Sequence, residues 1–121
     1  MDKFLKYETP FGNVDVCFEL GRYVLGNNLA IEVLFVEGGE LEPYTTLSVN
    51  LKGSALLPDE AIIDTNNNSS AEKFIRQNHL GKKIPGRVFQ SGFCTYPLYK
   101  MDMEKLKEYC VNPEFFEEEL K

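Results

Sequence analysis

The apolar positions in the N-terminal half recur with a period of two. Val14, Val16, Phe18 and Leu20 alternate with Asp15, Cys17 and Glu19, the pattern of a strand with one face on a core and the other toward water. Leu29, Ile31, Val33 and Phe35 form a second such face. The opposite face of that stretch, Ala30, Leu34 and Val36 around Glu32, is also largely apolar, which predicts a central strand covered on both sides. Residues 4–8 and 44–51 read as further strands, the latter with Leu47, Val49 and Leu51 on one side and Thr46, Ser48 and Asn50 on the other. Gly12-Asn13, Gly26-Asn27-Asn28 and Gly38-Gly39 separate these runs. Such residues accept positive φ and mark tight turns. Consecutive strands joined by tight turns predict an antiparallel meander.

The period then changes to that of a helix. Ala71, Phe74, Ile75 and Leu80 share one helical face. Ser69 and Glu72 have the spacing of a capping box, in which hydroxyl and carboxylate each satisfy a backbone N–H of the first turn. Gly81 is placed to end the helix in the left-handed conformation. Before this helix, residues 61–64 read as a short strand; after it, KKIPGR reads as a loop, 88–90 as a short strand, Ser91-Gly92 as a bend and 93–100 as another strand. Pro97 has no N–H to give a ladder, which predicts an edge strand or a bulge. Asp102 can cap a second helix whose buried stripe is Met103, Leu106, Tyr109 and Cys110. The sum is an α+β domain over residues 1–112, an antiparallel sheet of about five to six strands packed by one or two short helices. Residues 113–121 read as an acidic C-terminal tail or a short helix.

A chain of 121 residues is most simply one domain. Its net charge of −6 is unevenly placed: −6 over residues 1–60, +3 over 61–110 and −3 over 111–121. General nucleic-acid binders are usually basic overall, so direct general binding of nucleic acid is not expected. An acidic face suits a basic protein instead, including a nuclease whose own nucleic-acid groove is basic. Glu37, Glu40 and Glu42 are the candidate contacts for such a partner. The three cysteines are odd in number and form no CxxC, and there is one histidine, so neither a disulfide framework nor a zinc site is expected. No apolar leader and no membrane-length apolar run is visible, so a cytoplasmic protein with reduced thiols, monomeric or homodimeric, is expected.

Two segments invite chemical readings. Cys94, in SGFCTYPLYK, is a candidate nucleophile, but a nucleophilic thiol needs a base, and His79 is the only histidine. Alternation puts Cys94 with Tyr96 and Leu98 on one strand face, where a small apolar thiol packs well. The second segment is DTNNN. Asp64, Asn66 and Asn68 mimic the start of an EF-hand loop, but Ser69 stands where glycine is needed and Ile75 where a bidentate Glu is needed. Asp and Asn also bond their own backbone in turns. Asp64, Asn66, Asn67 and Asn68 are therefore a candidate binding loop whose alternative is a structural turn into the helix. The basic run Lys73, Arg76, Lys82, Lys83 and Arg87 reads as the solvated side of that helix and the loop after it. Tyr96 and Tyr99 fall on opposite strand faces and cannot form one stacking platform for bases. No nucleotide, phosphate-loop or metalloprotease motif occurs, and no cofactor is expected.

The runs Asp64-Thr65-Asn66-Asn67, Leu80-Gly81, Gly86-Arg87 and Ser91 through Tyr99 (SGFCTYPLY) resemble a family of small uncharacterised bacterial proteins from plasmids, conjugative elements and phages. The resemblance implies an accessory protein of a mobile genetic element and carries no catalytic residues. A weaker likeness, at the level of strand and helix order, is to small anti-CRISPR proteins, and it implies a non-enzymatic inhibitor of a host defence nuclease. The alternatives are a structural or regulatory module, dimeric through the Pro97 edge, and a cysteine-dependent enzyme using Cys94.

Overall fold

The alternating N-terminal half forms a meander of β1 (Leu5–Thr9), β2 (Gly12–Arg22), β3 (Leu29–Glu37) and β4 (Glu40–Thr46), hydrogen-bonded in chain order. This is the arrangement in the computed structural model, which describes residues 3–119. Met1, Asp2, Leu120 and Lys121, at the ends of the expected domain and tail, lie outside the described residues. A second antiparallel sheet has the order β5 (Glu60–Ile62), β7 (Cys94–Met101), β6 (Gly81–Ser91). Three short helices, α1 (Ala71–Gln77), α2 (Met103–Glu108) and α3 (Glu114–Glu119), complete an α+β fold.

The core lies between the inner face of the first sheet, α1 and the second sheet. Val16, Phe18 and Leu20 of β2 and Leu29, Ile31 and Val33 of β3 are buried there, as their alternation predicts. Phe74 of α1 meets this face, its ring 4.6 Å from that of Tyr7 and 6.1 Å from that of Phe18. Each such large side chain contributes about 1.5–3 kcal/mol of burial. A smaller cluster of Ile62, Tyr96 and Leu98 sits on the other face of the second sheet, under Val49, Leu51 and Leu56. Tyr96 and Tyr99 thus face different cores, as expected.

The expected strand over 44–51 divides instead. β4 stops at Thr46, and residues 47–49 cross between the sheets: Leu47 N–H donates to Ile31 O, and Val49 N–H to Ile62 O. The far edge of β2, beyond the end of β1, is closed by the chain after α2. Phe18 N–H donates to Tyr109 O, Val111 N–H donates to Phe18 O, and the Asn112 carboxamide bonds both Leu20 N–H and Leu20 O. The chain after residue 113 is a helix in its described part, anchored by buried Phe115 and by the ion pair of Arg22 with Glu119.

Three local expectations are corrected. The N-cap of α1 is Ser70 with no side-chain bond, and the Glu72 carboxylate accepts from Tyr99 Oη at 2.7 Å rather than closing a capping box. His79, not Gly81, ends the helix in the left-handed region, with φ 53°. Leu80 N–H bonds Ile75 O and His79 N–H bonds Arg76 O, the Schellman pairing. Gly81 serves close packing instead, since a Cβ there would lie 2.7 Å from Lys100 O. KKIPGR is not a loop between elements but part of β6, whose register with β7 breaks between Lys83 and Val88.

Of the two expectations for Pro97 the bulge holds and the edge does not: β7 is the central strand of its sheet, and the register with β6 breaks at Val88, opposite Pro97. The proline is tolerated because the β5 ladder ends there. Pro97 O accepts from Ile63 N–H, while Ile63 O, which a non-proline residue would have faced with its N–H, accepts from Thr65 N–H at 3.0 Å. A dimer through a Pro97 edge therefore has no free edge to use.

Candidate functional site

The tip of the β3–β4 hairpin is built by Gly38 and Gly39, both at positive φ (60° and 81°). That is the two-residue turn whose twist matches the strands it joins. It fixes the register: Glu37 stands opposite Glu40, Val36 opposite Leu41 and Phe35 opposite Glu42. Cross-strand partners share a face, so Glu37, Glu40 and Glu42 all project on the face that buries Val33 further along. Here that face has run past the core, and all three residues are exposed. Like charges directly opposite each other destabilise a sheet, and none of the three carboxylates makes a salt bridge among the described residues.

Aromatic groups adjoin this patch. A shift of register between Val33 and Leu34 leaves Tyr44 as the extra residue of β4. Its ring packs edge-on against Phe35 at 6.2 Å and Tyr7 at 5.8 Å and is still 42% exposed. Leu41 is also exposed on β4, and Phe11, at the tip of the β1–β2 hairpin on the same end of the sheet, is 99% exposed. The sequence pattern drew attention to the carboxylates and missed Tyr44, Leu41 and Phe11. Tight turns on alternating strands were the available signal for Phe11; the bulge that turns Tyr44 outward has none.

The DTNNN loop lies at the other end of β4, about 20 Å along the strand from Glu40. The side chains of Asp64, Asn67 and Asn68 are engaged within the protein. The Asp64 carboxylate accepts from Asn67 N–H at 3.2 Å and from Asn67 Nδ2 at 2.8 Å. Buried Asn68 donates from Nδ2 to Thr46 O and Asp64 O and accepts from Thr45 Oγ1 at 2.8 Å. Asn66 and Asn67 are exposed at the loop's tip. These bonds fasten the end of β4 to the start of α1. The structure thus separates the acidic trio from the asparagine loop.

Cys94 is half-buried at the first rung of β7, opposite Ser91. Its side chain takes the hydrogen bond of Tyr96, which with burial raises the pKa of that phenol. His79 lies beside Met101 at the opposite end of the same strand, about 20 Å away. The pairing of Cys94 with a histidine base has no geometric basis. Cys17 and Cys110 are buried thiols, their pKa values raised first by burial. Among the described residues, no three His, Cys, Asp or Glu side chains form a group able to hold a metal ion, and no helix is long and apolar enough to cross a membrane.

The family model described as a domain of unknown function, DUF4313, matches residues 17–120. The chain belongs to this family. The match spans β2 through α3 and so takes in the acidic hairpin, the asparagine loop and the Cys94 strand of this DUF4313 chain. No curated protein and no solved structure matches it.

Proposed function

We propose that this protein is a non-enzymatic accessory protein that acts by binding a basic protein at the β3–β4 end of its first sheet. The observation that supports this reading most is the arrangement of Glu37, Glu40 and Glu42: all three on one face, Glu37 directly opposite Glu40, and none in a salt bridge among the described residues. A fold gains nothing from opposed like charges, whereas a basic surface would neutralise them. Exposed Tyr44 and Phe11 supply the apolar anchors such an interface needs beside its charges. The finer form of the reading is an accessory protein of a mobile genetic element that inhibits a host defence nuclease by covering its basic nucleic-acid groove. The charge placement supports that form, since such a groove is already shaped to attract an acidic ligand.

The test is affinity capture from the cells that encode the protein, comparing the native chain with E37K/E40K/E42K. A basic protein should be retained at about 50 mM salt, released by about 500 mM and absent with the triple variant. Capture that resists salt and survives the charge reversal overturns the reading.

A further inference from the structure

A groove lies far from the acidic hairpin, where the end of α1, the β6–β7 end of the second sheet and the start of α2 meet. It is an open cleft of about 830 Å³, lined mainly by apolar surface, with Met101 and Met103 among its walls. Its size falls in the range of small-molecule sites. The charged groups around it are unequal in state. Of the acids that line it, Asp59 accepts from Lys100 Nζ at 2.7 Å and Asp102 caps α2 by accepting from Lys105 N–H, while Glu104 makes no salt bridge among the described residues. The cleft is also lined by Arg76, His79 and Lys82, none of which makes a salt bridge among the described residues. Arg76 and Lys82 also border a neighbouring hollow of about 430 Å³. The α1 carbonyls of Ile75 and Arg76 are satisfied by the Schellman bonds and offer no competing acceptors at this rim.

His79 adds an independent observation. At φ 53° it occupies the helix position that glycine takes most cheaply, and a side chain there carries strain. Backbone strain of this kind gathers at ligand sites, and here it falls on a residue that lines the cleft together with Arg76 and Lys82.

We propose that this cleft binds a small organic phosphate monoester. The phosphate is held by Arg76, His79 and Lys82, and the apolar body lies along Met103. Three nitrogen-bearing donors suit a dianion with three acceptor oxygens better than a carboxylate with two, and the apolar lining asks for a body that inorganic phosphate lacks. The site is separate from the acidic hairpin and does not depend on the function proposed above.

Calorimetric titration of the full chain with phenyl phosphate, inorganic phosphate and benzoate tests it. Phenyl phosphate should bind saturably and at least about tenfold more tightly than either of the others. R76Q and K82Q should each weaken it by about tenfold, while K73Q, whose lysine pairs with Glu8 outside the cleft, leaves it unchanged. H79G should melt at the same temperature or higher, because glycine relieves the strain, and should still bind more weakly. Absence of saturable binding at about 10 mM phenyl phosphate, equal affinity for inorganic phosphate or benzoate, or unchanged affinity in R76Q and K82Q overturns the proposal. An H79G chain that melts lower and binds normally removes His79 from the site.

Discussion

Two polar segments stand at the two ends of β4 and are built in opposite ways. In residues 64–68, carboxylate and carboxamides meet each other and the backbone of Thr46, and Asn68 is buried among its partners. At the Gly38-Gly39 hairpin, Glu37, Glu40 and Glu42 are held on one face by register and make no salt bridge among the described residues. Both look like binding sites in a list of residues. In the first, desolvated polar groups are compensated internally, and the arrangement holds the fold together. In the second, the fold tolerates an uncompensated repulsion, and the groups remain available to something outside it. Whether a polar group is already satisfied says more about function than how many polar groups adjoin one another.

That contrast yields predictions of decreasing size. Asn68→Ala removes three side-chain hydrogen bonds at a buried position and should lower stability by about 2–4 kcal/mol in chemical denaturation. It should leave capture of a basic partner intact under conditions where the variant is folded.

Glu72 is an engaged carboxylate of intermediate kind. Burial alone would raise its pKa, but the Tyr99 hydroxyl and the Lys83 ammonium, 3.2 Å away, outweigh burial and hold it low. A carboxylate with a lowered folded pKa stabilises the protein above its unfolded pKa, and that contribution is lost as pH falls through the folded value. Glu72→Gln should therefore cost about 1 kcal/mol at neutral pH, and the difference from the native chain should vanish in thermal melts at strongly acid pH. A difference that grows on acidification would contradict this assignment.

Glu40→Gln should have the smallest effect on stability, within about 0.5 kcal/mol and in the stabilising direction, since it relieves repulsion from Glu37. Its effect on partner capture should exceed that of Asn68→Ala, which inverts the order of the two residues between the two measurements.

The same division explains what could be read from the sequence. β2 and β3 bury one face against the core and only Cys17 and Leu34 on the other, so period two is written into Val16, Phe18, Leu20, Ile31 and Val33. β6 is almost wholly exposed, with only Gly81, Ile84 and Phe89 partly covered, so it carries no period, and its broken register around Pro85-Gly86 reads as a loop. The central place of β7 depends on Thr65 N–H taking the carbonyl opposite Pro97, a contact between segments that no local pattern encodes. At the candidate site, the carboxylates of Glu37, Glu40 and Glu42 were legible as residue types. Their shared face and mutual opposition followed only from the turn and the register. For the asparagine loop, local turn chemistry suggested a structural role, and the bonds to Thr45 and Thr46 came from a neighbouring strand.

Hydrogen–deuterium exchange on the complex captured from the native cells, compared with the protein alone, puts the two ends of β4 in direct competition. The account predicts slowed exchange in residues 35–44, at the hairpin bearing Glu37, Glu40 and Glu42, with residues 64–68 unchanged. Protection centred on residues 64–68, with the hairpin exchanging as in the protein alone, would contradict it.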